Sequence, residues 1–385
     1  MERPLGRPDE EPPGLRRIRS ILRLNAEHDF STGCPIWTAL SMEASRHDHL
    51  AAVLLDAPER QQRGTMLLSA VQYLLLGEVD HPLGEYLPTI VDEPRPIDDR
   101  MVRTFDDFVR AHEDDLRRTV ASRTIQTNEV ARAASIRVAM GALATESGAA
   151  PFDVIEIGAA SGLLGCFERY GIRLGDAVVG PAGAELVLAP EQLGAPAPAA
   201  WLDAGALARS VVGLDIAPLD LEDPADRRWM KACIWPSQPH RHEQLDRAMA
   251  VARVAGVEVR RRDALDIAAH VDELDTGADV AVVSSVMVSY LTEQQRDALI
   301  DRLTEASAGR RVHLVALEGE TLVPGIDAAP TAELPSGPRP FVLSTSTFDR
   351  GSRTDRVLGL AGGQGDWISL LPRPSGAESA PSRLG

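Results

Sequence analysis

Residues 151–170 read PFDVIEIGAASGLLGCFERY, an apolar run that reaches Glu156, then Gly158 and Gly162, then apolar residues again. A ligand that must touch backbone at the carboxyl end of a strand requires residues without a Cβ there. The spacing predicts a strand, a glycine turn and a helix. An acidic residue at the strand end can balance a cationic ligand or orient its neighbours. Ligands of open α/β sheets sit in this crevice, so Glu156, Gly158, Ala160, Ser161 and Gly162 are read as the first part of a nucleoside-cofactor site. The pattern carries fewer glycines than the G-x-G-x-x-G of dinucleotide binders, with Ala160 where the middle glycine would stand. Taken alone it is equally a tight strand-to-helix turn.

Three later segments keep it company. VVGLDIAP ends in Asp215 and Ile216, and an acidic residue there can accept hydrogen bonds from both ribose hydroxyls. VEVRRRDALD brings Asp263 and Ala264 to a strand end, where a carboxylate could accept from an adenine amino group. DVAVVSSVMVSYL carries Ser284, Ser285 and Tyr290 past a fourth strand, toward the reactive end of a cofactor. Each acidic residue singly is more simply a helix cap or a surface carboxylate; three at successive strand ends favour a site. Asp215 lies much farther from Glu156 than the usual spacing of about 20 residues. Either residues 171–205 are an insertion, or AELVL is the second strand and Glu185 the ribose ligand; Asp215 is the favoured assignment.

A second polar set precedes the first strand. QTNEVARAA places Gln126, Thr127, Asn128, Glu129 and Arg132 at the head of an apolar helix. A cap needs one such residue. Gln126, Thr127, Asn128 and Arg132 are therefore candidates for substrate contact, and Asn128, Glu129 and Tyr290 for a catalytic one. Trp235, before a proline in IWPSQPHRHEQL, is either a lid over a ligand ring or a packed elbow. His240 and His242 lack a third metal partner. Cys34, Cys166 and Cys233 are odd in number and far apart, so neither a disulfide framework nor a zinc site is expected.

The elements that must position these residues fall into two kinds. From Arg16 to Gly148 the apolar period is helical. Phe105, Phe108, Val109, His112 and Leu116 fall on one helix face, as do Met66, Leu67, Val71, Leu74 and Leu75. From VIEIGA onward, β-branched runs alternate with helix-like segments such as Arg227–Ala255 and Glu293–Ala306. That alternation implies an α/β fold with a doubly wound, mostly parallel sheet of the seven-stranded type. FVLSTSTF, RVLGLAG and DWISLL predict antiparallel strands at its edge. The expected organisation is a tail over 1–15, a helical region over 16–148, a Rossmann-like domain over 149–372 and a tail over 373–385.

The chain has 385 residues and a net charge of −17, with a pI near 5.0. Nucleic acid, held through phosphate contacts from Lys and Arg, is a poor partner for so acidic a chain. The N-terminus lacks the apolar core of a signal peptide and no run of 18 apolar residues occurs, which predicts a cytoplasmic protein without a membrane span. The expected partner is a small-molecule substrate.

The order EIGAASG, LDIAP, RRDALD, VVSSVMVSYL and VALE, with a terminal hairpin, resembles class I methyltransferases. More closely, CPIW (34–37), QTNEVARAA (126–134), EIGAASGL (156–163), GLDIAPLDLEDPADR (213–227), IWPSQPHR (234–241) and SSVMVSYL (284–291) resemble the bacterial family catalogued as domain of unknown function 2332. The resemblance runs from about residue 20 to 371. It implies the class I methyltransferase-like fold, S-adenosylmethionine as cofactor and methyl transfer to a small molecule. A lyase or hydrolase on the same nucleoside site, and a cofactor-binding regulatory or scaffold protein without catalysis, are the alternatives. The chain departs from the family pattern at AASG, where A-S-A-G is usual, at Leu164 for Asn, at Ser237 for Asp, and at Gln364-Gly365 for His-Gly.

Overall fold

The computed structural model describes residues 13–77, 79–126, 129–274, 277–327 and 339–372. The expected terminal tails lie largely outside these residues, as do Thr127 and Asn128. The chain forms two compact units, residues 1–127 with 219–246, and residues 128–218 with 247–385. The first of these units closes at residue 127, and it takes in a segment from within the α/β region.

The first unit is helical. Pro13–Leu24, Pro35–Arg46, Gly64–Leu75, Asp99–Ala111, Glu113–Ser122 and Pro224–Ala232 enclose a core that includes Trp37, Phe105, Phe108 and Trp229. Pro35 and Pro224 occupy first-turn positions, where the missing N–H has no helical partner to lose. The Asp98 side chain caps its helix by accepting from Met101 N. The single helix read through Phe105–Leu116 is two helices that break at His112, whose φ of −124° and ψ of 24° leave the helical region. The helix expected over Arg227–Ala255 is likewise two, Pro224–Ala232 and Pro239–Ala255, because Pro236 and Pro239 cannot continue the first.

The second unit is built on a nine-stranded sheet and a small three-stranded one. In chain order the strands are β1 (Phe152–Ile157), β2 (Gly171–Leu174), β3 (Ala177–Val179), β4 (Val187–Leu188), β5 (Glu191–Gly194), β6 (Ala208–Asp215), β7 (Glu258–Arg261), β8 (Val280–Ser285), β9 (Val312–Gly319), β10 (Phe341–Asp349), β11 (Ser352–Ala361) and β12 (Trp367–Leu370). The large sheet runs β5-β12-β11-β10-β9-β8-β1-β6-β7 and the small one β3-β2-β4. β7, β6, β1, β8 and β9 are mutually parallel. β10, β11 and β12 form the expected antiparallel edge. β5, from the stretch read as an insertion, adds a parallel strand beyond β12. The sheet is thus larger than the seven-stranded type, and doubly wound. Ile267–Asp272 and Glu293–Ala306 pack on the face that carries Ile155, Val282 and Leu314. Ala133–Ser147 packs against β9 and β10 and is buried on every side from Ala133 to Ala144.

That helix shows why sequence propensity yields to packing. A Cβ on Gly141 would lie 1.9 Å from the Trp201 carbonyl oxygen. Alanine at an ordinary helix position gains about 1 kcal/mol over glycine; here the clash with backbone reverses the sign, since overpacking costs about 1–3 kcal/mol or more. Gly141→Ala is expected to lower the urea midpoint of the second unit. An unchanged or raised midpoint would show that the Ala199–Leu202 helix gives way freely.

Candidate functional site

The chain leaves β1 for β6 and β7 on one side and returns for β8 and β9 on the other, so the order reverses between β1 and β8. Carboxyl ends at such a reversal leave a crevice. Ile157 pairs with Leu214 of β6 and with Ser284 of β8, which sets the Gly158–Gly162 turn level with Asp215 and Ser285.

The turn is left-handed three times, at Gly158 (φ 71°), Ala160 (φ 53°) and Gly162 (φ 77°). Ala160 holds the conformation glycine favours, at a cost on the order of 1 kcal/mol. Its N–H is fixed by Asp215 Oδ2 at 2.8 Å, while Asp215 Oδ1 accepts from Ala217 N at 2.7 Å. A Cβ on Gly162 would meet Val257 and Val259 at 3.0 and 3.1 Å. Close packing therefore requires that glycine as much as its φ does. Gly213 does the same from β6, where a Cβ would lie 2.6 Å from the Cβ of Ala159.

The helix expected after the turn is absent. Residues 159–169 bond in i→i−3 steps (Gly162 N to Ala159 O, Cys166 N to Leu163 O, Phe167 N to Leu164 O, Arg169 N to Cys166 O), and only Leu164–Cys166 is a regular 3₁₀ turn. Side chains take the partners that an α-helix would use. Gly165 N donates to Glu156 Oε2 at 2.9 Å, and the Tyr170 hydroxyl donates to the Leu163 carbonyl at 2.8 Å. Such short helical pieces build little macrodipole, so the turn presents single N–H groups rather than a helix end.

Glu156 is 3% exposed and bound into the turn itself. Burial pushes its carboxyl up to about 8, the Asp215 charge adds to the rise, and the Gly165 N–H opposes it. A carboxyl so placed is neutral at pH 7 and shapes the turn, the orienting role open to it from the sequence beside ligand contact. Asp215 is the acid beside the turn. It ends β6, the strand paired with β1, whereas Glu185 lies exposed in a bend before the two-residue strand β4. Ile216, next along, is 69% exposed. Asp263 accepts from Leu265 N and caps the Ala264–Asp266 turn, the cap role weighed for it from the sequence. Arg260 pairs with Glu258, and Arg261 donates to the Ile216 carbonyl at 2.8 Å.

Past β8, Val286 adopts φ 64°, a strained conformation for a β-branched residue. This kink lays Met287 over the turn: a Cβ on Gly158 would be 2.5 Å from its Cγ. Tyr290 is half exposed at the end of the Val288–Tyr290 turn. The hydroxyls of Ser161 and Ser285 are buried without a hydrogen-bond partner among the described residues, an arrangement native proteins rarely leave unfilled.

Of the polar set before β1, Glu129 caps the Val130–Arg132 turn by accepting from Ala131 N. Arg132 is buried, donates through Nε to the Gly363 carbonyl at 2.7 Å and lies 5.5 Å from the Phe341 ring centroid. Gly365 (φ 68°) permits this join, since a Cβ there would lie 2.4 Å from the Ala131 carbonyl carbon. Gln126 and Trp235 belong to the first unit. The Trp235 ring packs edge-on to Phe30 at 5.8 Å and beside Trp37 at 6.3 Å, as an elbow does. Ser237 donates to Cys34 Sγ at 3.3 Å, joining the CPIW and WPSQ stretches. His242 is buried against the Lys231 carbonyl, and among the described residues no cluster of three or more His, Cys, Asp or Glu could hold a metal.

One residue at this edge escaped the sequence reading. Glu318, at the end of β9, is fully buried. Its Oε1 accepts from the Ser284 hydroxyl at 2.6 Å and from Val288 N at 3.2 Å. Its signal was a lone acid in the apolar run RVHLVALEG.

No helix among the described residues is long and apolar enough to cross a membrane. No curated protein matches the chain. Two solved structures similar to it are an S-adenosylmethionine-dependent methyltransferase from Clostridium acetobutylicum ATCC 824 (10% identity, 66% of this chain and 79% of that one, TM-score 0.24) and the CcbJ methyltransferase from Streptomyces caelestis (13%, 62% and 70%, TM-score 0.22). At those TM-scores neither bears on fold or activity; the fold rests on strand order. The family described as an uncharacterized protein conserved in bacteria, DUF2332, matches residues 19–370, and the chain belongs to it.

Proposed function

We propose that the carboxyl ends of β1, β6 and β8 bind S-adenosylmethionine and that the protein transfers its methyl group to a small-molecule acceptor. The observation that carries this reading is Asp215, an acid at the end of the strand next to β1 that faces a left-handed glycine turn. The remaining groups fit the cofactor. The Asp215 carboxylate would accept from the ribose hydroxyls, the exposed Ile216 would lie against the base, and the unpartnered hydroxyls of Ser161 and Ser285 would serve the polar methionine end. When bound, the cofactor supplies a methyl group on a positively charged sulfur. The protein's part is to orient the acceptor and exclude water.

A second reading, a regulatory protein without catalysis, draws on Met287. Its side chain covers Gly158, where a ligand backbone contact is needed. An unbranched thioether can swing aside; if it does not, the turn is closed.

Calorimetry with S-adenosylmethionine and S-adenosylhomocysteine tests the proposal. Both should bind, and Asp215→Asn, which keeps one acceptor oxygen for Ala160 N, should weaken both about tenfold or more, the worth of about 1.5–3 kcal/mol in hydrogen bonds to a charge. Absence of heat with either ligand would sink the cofactor reading; unchanged affinity in Asp215→Asn would sink the ribose assignment. Binding without any methylated product from labelled cofactor and cell extract would favour the regulatory reading.

A further inference from the structure

We infer that Glu318 is the proton acceptor of this site, and that the methyl acceptor is a molecule whose nucleophilic nitrogen, oxygen or sulfur carries a proton it must lose. The inference rests on the cofactor reading above and gives a role to Glu318, to which the sequence reading assigned none.

Glu318 stands at the carboxyl edge of the parallel strands, one strand beyond β8. Ser285 pairs with Leu317, so Glu318 follows directly at the level of the strained Val286. Its two oxygens differ. Oε1 is held by Ser284 Oγ and Val288 N, whereas Oε2 is buried with no hydrogen-bond partner among the described residues. A buried acceptor left empty costs about 1–3 kcal/mol, and more for a charged group, so its persistence calls for an explanation. An oxygen that takes a proton from a bound molecule is one. Burial pushes the carboxyl up to about 7, against the Ser284 hydroxyl, the Val288 amide, the Arg132 charge and the Met287 amide, each of which favours the ionised form. A group balanced there can take up a proton near neutral pH and return it.

The step balances without another reactant. The acceptor's proton passes to Glu318 Oε2, the electron pair left on the acceptor forms the bond to the methyl carbon, and the pair of the broken C–S bond leaves with sulfur. Glu318 then loses its proton to solvent as product departs. Arg132, fixed by Gly363 and Phe341, is a positioning residue that keeps the carboxylate accessible as a base.

The full chain is tested by calorimetry at pH 7 in buffers of different ionisation enthalpy, with S-adenosylmethionine and its uncharged product S-adenosylhomocysteine. A sulfonium beside Glu318 lowers its proton affinity, so the first ligand should release up to about half a proton and the second almost none. Glu318→Gln should abolish the difference, with S-adenosylhomocysteine affinity held within about twofold, and should slow methyl transfer in extract about a hundredfold or more. Glu156→Gln should retain the release. Should Glu318→Gln not fold, Ser284→Ala serves: loss of the hydroxyl donor should move the release to higher pH. Equal proton release by the two ligands, release that survives in Glu318→Gln or vanishes in Glu156→Gln, an unmoved profile in Ser284→Ala, or a product methylated on a carboxylate or thioether would each overturn the assignment. Absence of heat with both ligands removes the cofactor reading on which it rests, whereas any of the former outcomes leaves that reading standing.

Discussion

Between about pH 6.5 and pH 8.5 the second unit is expected to lose several kcal/mol of stability, and the double variant Glu156→Gln/Glu318→Gln to lose almost none. Burial raises Glu156 from 4.5 to about 8 and Glu318 from 4.5 to about 7. The folded chain thus binds more protons than the unfolded chain above pH 4.5, and stability must fall as pH rises through the folded values. Over its whole window the loss is on the order of 5 kcal/mol for Glu156 and on the order of 3 for Glu318. His242, which belongs to the first unit, works there in the opposite sense at lower pH. Burial lowers it from 6.5 to about 4, so its contribution grows with pH between those values and is complete above 6.5. Reading the effect above 6.5 keeps the signs apart. Glutamine is the fitting replacement because its carbonyl can still accept from Gly165 N at 156 and from Ser284 and Val288 N at 318, while no charge forms at high pH. Urea midpoints at pH 6.5 and 8.5 decide the matter. A flat wild-type profile would mean that water reaches both carboxyls.

The positions of these two acids show how far a sequence can be read. β1, β8 and β9 were legible because strands buried on both faces are continuous apolar runs, and the helix at Glu293–Ala306 matched residue for residue. Asp215 was legible as an acid closing such a run. The missing helix after Gly162 was not, because LLGCFERY has helical residues; the partners that prevent it, Glu156 for Gly165 N and Tyr170 for the Leu163 carbonyl, are chosen by tertiary contacts. Glu318 was hidden for a related reason. A lone acid in an apolar strand could end it or be buried in it, and only the approach of Ser284 from a neighbouring strand separates the two. The allegiance of residues 219–246 was hidden too, since nothing in PADRRWMKACIWP names the core it joins.

That allegiance gives the second large effect: Trp229→Ala is expected to destabilise the helical unit by about 3–5 kcal/mol, the usual loss for a buried aromatic cut back to alanine. Trp229 is fully buried, its ring meets Tyr73 edge-on at 5.7 Å, and Nε1 donates to the Thr124 carbonyl at 2.9 Å. Trp229→Phe separates packing from polarity. It keeps most of the apolar volume and leaves the Thr124 carbonyl without its donor, a loss of about 1–3 kcal/mol. The helix that carries Trp229 is fastened from outside as well. Gln72 Nε2 reaches the carbonyls of Lys231, Ala232 and Ile234 at 3.3, 3.1 and 2.7 Å, holding the end of Pro224–Ala232 and the residues just beyond it. Destabilisation at Trp229 should therefore release the whole of 219–246, seen as early cleavage within it under limited proteolysis, at a urea midpoint lowered for the helical unit. A cost below about 1 kcal/mol, or cleavage elsewhere first, would mean that Gln72 and not the tryptophan holds the segment in place.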